Sequence, residues 1–276
     1  MRIVPAALAV ATALPFVSTC AAQKAEPKTR RPAPTHYALP RDPKAVVLTL
    51  DYTGGSGPPR RGTKPYFEVR ADGSMVVRDV SGAPGKAEVT GRMSPEQLQA
   101  LLHFVVAEQR LTDWNEEAVG RALQGFQSPE LRAPRVTETS TSVVKLSLPN
   151  HEVTARFAAL WITAPRFPRI AELQSLFAVE SRLRHRAAVV LVGGEKQAEA
   201  LRTEANAALA DELPKCEPFA RTHLLSAINT QTGGIMATFC REHRLAGGER
   251  RQVWAMVTCF ADGDVEVEVH QSGRPH

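Results

Sequence analysis

The sequence predicts an α+β fold of antiparallel β-hairpins, each followed by a helix, and then a helix packed on an antiparallel meander. Three observations predict it. Alternating apolar residues flank Asp-Gly turns at Ala71-Asp72-Gly73 and Ala261-Asp262-Gly263. Stretches with helical spacing follow the hairpins, beginning at Pro95 and Pro168. From Leu224 onward the chain alternates apolar and polar residues between turns.

The N-terminus reads as an export signal over residues 1–22. Arg2 precedes an apolar run from Ile3 to Val17, and small residues follow at Ser18, Thr19, Ala21 and Ala22. Cleavage after Ala22 is the first expectation. Lipidation of Cys20 is the alternative, because Val17-Ser18-Thr19-Cys20 approaches a bacterial lipobox. No later segment is apolar enough to span a membrane, so no transmembrane span is expected in the mature chain. Residues 23–44 are expected to form a basic, Pro-rich linker. They hold Pro27, Pro32, Pro34, Pro40 and Pro43. Six cations against two acids give this linker +4 of the chain's net +5. With Arg2 gone, the body from Ala45 is near neutral, and nucleic acid is not an expected partner.

Two domains are expected after the linker, at 45–185 and 186–276. In the first, Val46 to Leu50 is a strand, and Thr53 to Gly62 is a Gly/Pro-rich loop. In the next hairpin, a three-residue turn with Gly73 in the left-handed position pairs Phe67 with Val77 and Val69 with Met75. That register keeps one face apolar. A two-residue turn would set Phe67 against Arg78. Lys86 to Thr90 is a further strand. Ser94-Pro95-Glu96-Gln97 then supplies an N-cap, a first-turn Pro and a capping-box Gln for a helix over 95–110. Its apolar stripe is Leu98, Leu101, Leu102, Val105 and Val106. Trp114 to Leu123 reads as a short helix, and Val136 to Leu148 and Val153 to Phe157 as a second hairpin. Pro168 opens a helix whose apolar side is Ile170, Leu173, Leu176, Phe177 and Leu183.

In the second domain, Ala187 to Val192 reads as a short strand ended by Gly193-Gly194. Glu195 to Leu213 is an Ala-rich helix. The strands Leu224–Asn229, Ile235–His243 and Val253–Phe260 follow. The last hairpin pairs Cys259 with Val265 and Val257 with Val267. Cys240 and Cys259 lie on neighbouring strands and are the expected disulfide, which an exported chain permits, with Cys216 free or taking the place of one of them.

The pattern of the first unit is similar to uncharacterised secreted bacterial domain families. Its carriers are the strand ending at Gly54-Gly55, the Asp72-Gly73 hairpin and the Ser94-Pro95-Glu96 cap. The resemblance covers residues 45–111 and implies no activity. Over 187–270 the order strand, Gly-Gly, helix, meander is similar to the cystatin protease inhibitors. That likeness implies an inhibitory module in the second domain. The inhibitors' Gln-x-Val-x-Gly loop is absent, and Gln231-Thr232-Gly233-Gly234 stands in its region.

No catalytic, cofactor-binding or metal-binding residue is assigned. Gly54-Gly55-Ser56-Gly57-Pro58 lacks the final Gly of a hydrolase elbow and precedes no helix. His151-Glu152 has no second His one turn on. Cys240 and His243 fall on opposite faces of a strand, which counts against zinc with Cys259 and His270. The expected function is a non-enzymatic envelope or extracellular binding or structural module. The alternative is a cystatin-fold inhibitor, and a hydrolase ranks third. The partner would be a protein or an envelope component. The candidate contact loop is the one carrying Gly54, Gly55, Arg60 and Arg61.

Overall fold

The computed structural model describes residues 36–54, 64–78, 87–125, 140–244 and 250–272. The signal segment with Cys20, and Gly55, Arg60 and Arg61 of the loop, lie outside the described residues. Among the described residues, two antiparallel sheets and five α-helices make an α+β fold. The strands are β1 (Val46–Thr53), β2 (Phe67–Arg70), β3 (Ser74–Arg78), β4 (Glu88–Arg92), β5 (Thr141–Leu148), β6 (His151–Ala158), β7 (Leu224–Asn229), β8 (Ile235–Arg244), β9 (Arg250–Cys259) and β10 (Val265–Gln271). The larger sheet has the order β4-β3-β2-β1-β5-β6, and the smaller has β10-β9-β8-β7. The helices are α1 (Pro95–His103), α2 (Glu116–Gly125), α3 (Leu160–Thr163), α4 (Ala171–Leu191) and α5 (Glu195–Glu212).

Both Asp-Gly hairpins have the expected registers. Phe67 faces Val77, Val69 faces Met75, Cys259 faces Val265 and Val257 faces Val267. Gly73 and Gly263 adopt φ of 78° and 97°, the left-handed region that a side chain disfavours. The aspartates help close these turns. Asp72 Oδ1 accepts from Ser74 N at 2.9 Å, and Asp262 Oδ1 accepts from Asp264 N at 3.2 Å. At α1 the capping box is complete: Ser94 Oγ accepts from Gln97 N, and Gln97 Oε1 accepts from Ser94 N. A π-helical turn, Phe104–Glu108, continues α1 until Arg110 turns the chain at φ 52°.

The linker does not stay apart from the fold up to residue 44. Tyr37 is 2% exposed and packs in the core. Gln99 on α1 clamps its backbone from both sides, at 2.7 and 3.1 Å.

The largest departure is α4. The stretch expected as a strand, Ala187 to Val192, is the end of this helix and its cap. All six residues are 6% exposed or less. They are covered from several directions, so no polar face is left to show a helical period. α4 contacts β1, β3, β4 and β5 of one sheet and β7 of the other. At Gly91 on β4 a Cβ would sit 2.7 Å from Val190 Cγ2, so the glycine admits the helix. The boundary expected between residues 185 and 186 falls inside α4, and the described residues belong to one compact unit. The cystatin-like element order therefore loses its first strand; helix, Gly-Gly, helix, meander is the observed order. α5 then covers one face of β8, β9 and β10. Among the described residues no helix is long and apolar enough to cross a membrane.

α4 also grips the smaller sheet through His185, whose Nδ1 lies 3.2 Å from the carbonyl oxygen of Leu224. Burial pushes this imidazole below the ordinary histidine range, with Arg186 and Arg182 adding to it; Leu224 and Glu195 oppose the shift. His223 is lowered too, first by burial and then by Arg241. In each case the unfolded chain binds the proton at a higher pH than the folded one. Stability is then full above the unfolded histidine value of about 6.5 and declines as pH falls below it. The thermal midpoint is expected to drop between about pH 7 and pH 5. His185→Gln should flatten that slope; a slope unchanged in this variant would remove His185 from the account.

Candidate functional site

The candidate loop leaves β1 and returns to β2, two central strands of the larger sheet. Its described margin is exposed Gly54, at φ 71°. Beneath it the chain is held firmly. Asp51 Oδ1 accepts from the backbone N of Tyr66 at 2.9 Å, tying the two ends together. The rings of Tyr52 and Tyr66 meet at 5.7 Å between centroids. Tyr52 pairs with Ser142 across the β1–β5 ladder, so both hydroxyls fall on one face of the sheet.

That face meets α4 at Glu180, which is 1% exposed. Glu180 Oε1 accepts from Tyr52 Oη at 3.1 Å and from Ser142 Oγ at 3.2 Å. Its Oε2 is buried with no hydrogen-bond partner, as is Nε of Arg184 one turn further along α4. Burial, and then the Glu180 charge, hold the Tyr52 phenol well above the ordinary tyrosine range. Tyr52 therefore stays a hydrogen-bond donor at neutral pH and is no base. The arrangement can orient the base of the loop, because its donors converge on one fixed acceptor.

Sequence reasoning missed Glu180 and Ser142. A signal was present: Glu180 occupies a slot in the apolar stripe between Leu176 and Leu183, spaced 3–4 residues from each.

Away from this cluster, an open cleft of about 320 Å³ lies where α5 ends. Leu213, Lys215, Cys216, His243 and Gln271 are among its lining residues. Beside it Arg241 pairs with Glu217 at 2.5 Å and donates to the carbonyl of Pro218 at 3.0 Å. Burial pushes the Cys216 thiol up, so it is poorly prepared as a nucleophile.

The expected disulfide does not form. Cys216, Cys240 and Cys259 are all free. Cys240 faces Trp254, while Cys259 faces Ile235. Each cysteine is thus five residues from the other's cross-strand partner, about 16 Å along the ladder, far beyond the reach of a disulfide. An odd offset also sends the two side chains to opposite faces. The same register separates Cys240 and His270, which both face Trp254, from His243 and Cys259. Gly193-Gly194 joins α4 to α5 with both residues at positive φ, and Glu195 beyond it pairs with Arg186 at 2.8 Å.

Comparison with known proteins gives no match to a family model, a curated protein or a solved structure.

Proposed function

We propose that this chain is an exported, non-enzymatic binding module of the envelope or extracellular space, and that its contact surface is the loop carrying Gly54, Gly55, Arg60 and Arg61. The observation that supports this reading is the construction of the loop's base. Asp51, Tyr52 and Tyr66 flank it on central strands, and Tyr52 is fixed to the buried Glu180. A loop presented from a rigid scaffold binds with less ordering of its surroundings. The paired cations Arg60-Arg61 favour an anionic patch on the partner.

The test is capture from envelope extract by the immobilised chain from Gln23 onward, beside a variant with Arg60→Glu and Arg61→Glu. Wild type is expected to retain a component that the variant loses by roughly tenfold or more, with circular dichroism unchanged. Capture of nothing by wild type, or equal capture by both chains, would overturn the proposal.

A further inference from the structure

The strand β10 is an edge of the smaller sheet, and among the described residues it pairs with β9 alone. A hydrogen bond at each end of the ladder fixes which of its backbone groups are used. Phe260 N donates to Asp264 O at 2.9 Å, and Ser272 N donates to Gln252 O at 2.9 Å. Hydrogen-bonded pairs alternate in an antiparallel ladder. Thr258–Glu266, Met256–Glu268 and Trp254–His270 are then the bonded pairs between these ends. The N–H and C=O groups of Val265, Val267, Val269 and Gln271 point to the open edge instead.

The side chains along this edge are sorted as well. Val265, Val267 and Val269 share a face with Ala255 and Val257, which are fully buried. Val265 at the strand's start is 46% exposed. Glu266, Glu268 and His270 occupy the other face and are all exposed, with His270 Nε2 3.3 Å from Glu268 Oε2.

Pairing with a second copy through the middle of the strand is disfavoured. A twofold axis would set β10 antiparallel to itself. Registers centred on Glu266, Val267 or Glu268 each place a glutamate directly opposite another. Like charges so placed are destabilising. The complement is a strand with cations where β10 has glutamates.

We propose that the β10 edge accepts, by strand addition, an extended segment of a partner protein with Lys or Arg at every second position. Backbone groups at Val265, Val267 and Val269 supply the pairing, and Glu266 and Glu268 select the charge. This surface is independent of the β1–β2 loop, so failure of either reading leaves the other standing.

The probe is a short capped peptide alternating Lys and Thr, added to the mature chain at low salt and followed by NMR. Saturable binding is expected, with amide exchange slowed at Val265, Val267 and Val269, and affinity falling as salt rises. Val267→Pro removes an edge-facing N–H while leaving the β9–β10 bonds in place. It should weaken binding about tenfold or more, corresponding to roughly 1.4 kcal/mol. The variant carrying Glu266→Lys and Glu268→Lys should lose the Lys peptide and gain its Glu counterpart, and it decides the matter if the proline variant does not fold. Absence of saturable binding, equal binding by the folded proline variant, or protection confined to other amides overturns the proposal. Protection of these amides through self-association would overturn the choice of occupant.

Discussion

Expressed from His36 to His185, without the rest of the chain, the protein is expected not to fold cooperatively. The cut removes the second part of α4, where Val189, Val190, Leu191 and Val192 are 4–6% exposed. Burial of four such side chains is worth about 6–12 kcal/mol at 1.5–3 kcal/mol each. That is comparable with the entire stability of an ordinary domain, about 5–15 kcal/mol. On the larger sheet, Gly91 would lose the cover of Val190. The complementary fragment loses the first part of α4, including His185, which meets the Leu224 carbonyl on β7. The measurement is a thermal melt with an amide spectrum of the fragment. A sigmoidal melt and a dispersed spectrum would show that residues 36–185 are self-sufficient and that α4 only passes between two domains.

The difference between what could and could not be read from the chain follows from the range of the interactions. The registers of β2–β3 and β9–β10 were legible because each hairpin is specified by a turn of three residues and by the alternation beside it. The cap of α1 was legible for the same reason: Ser94 and Gln97 act on each other within one turn. The end of α4 does not show as a helix in the sequence, because burial on several sides erases the polar face that reveals one. The pairing of Cys240 with Cys259 failed because strand adjacency can be guessed locally, whereas the relative stagger of β8 and β9 depends on their whole ladder. Tyr37 reads as part of a linker because the prolines around it dominate the composition; its contact on α1 lies 62 residues away. Of the candidate site, the loop was visible as a Gly/Pro-rich interruption, but its support was not. Glu180 acquires its meaning from hydroxyls 128 and 38 residues distant in sequence.

Glu180 gives the second large expected effect. Glu180→Ala removes an acceptor from two hydroxyls, and Ser142 is only 2% exposed. It also opens a cavity between α4 and the β1–β5 ladder. A buried donor left unsatisfied costs about 1–3 kcal/mol, and the lost packing adds a term of similar size, so destabilisation of about 3–5 kcal/mol is expected. The carboxylate is nevertheless not an efficient way to hold the core, since Oε2 is buried without a hydrogen bond. Replacing the whole group by apolar side chains, with Tyr52→Phe, Ser142→Ala and Glu180→Leu together, should therefore restore stability to within about 1 kcal/mol of wild type. Urea unfolding of the single and triple variants measures both quantities. Additive losses in the triple variant would mean that the three residues stabilise the fold separately, not as a network. A triple variant as stable as wild type that no longer captures the partner would instead assign the cluster to positioning the loop. In that case Glu180 is retained at a cost to stability because Tyr52, near the end of β1 and two residues before Gly54, needs a fixed acceptor.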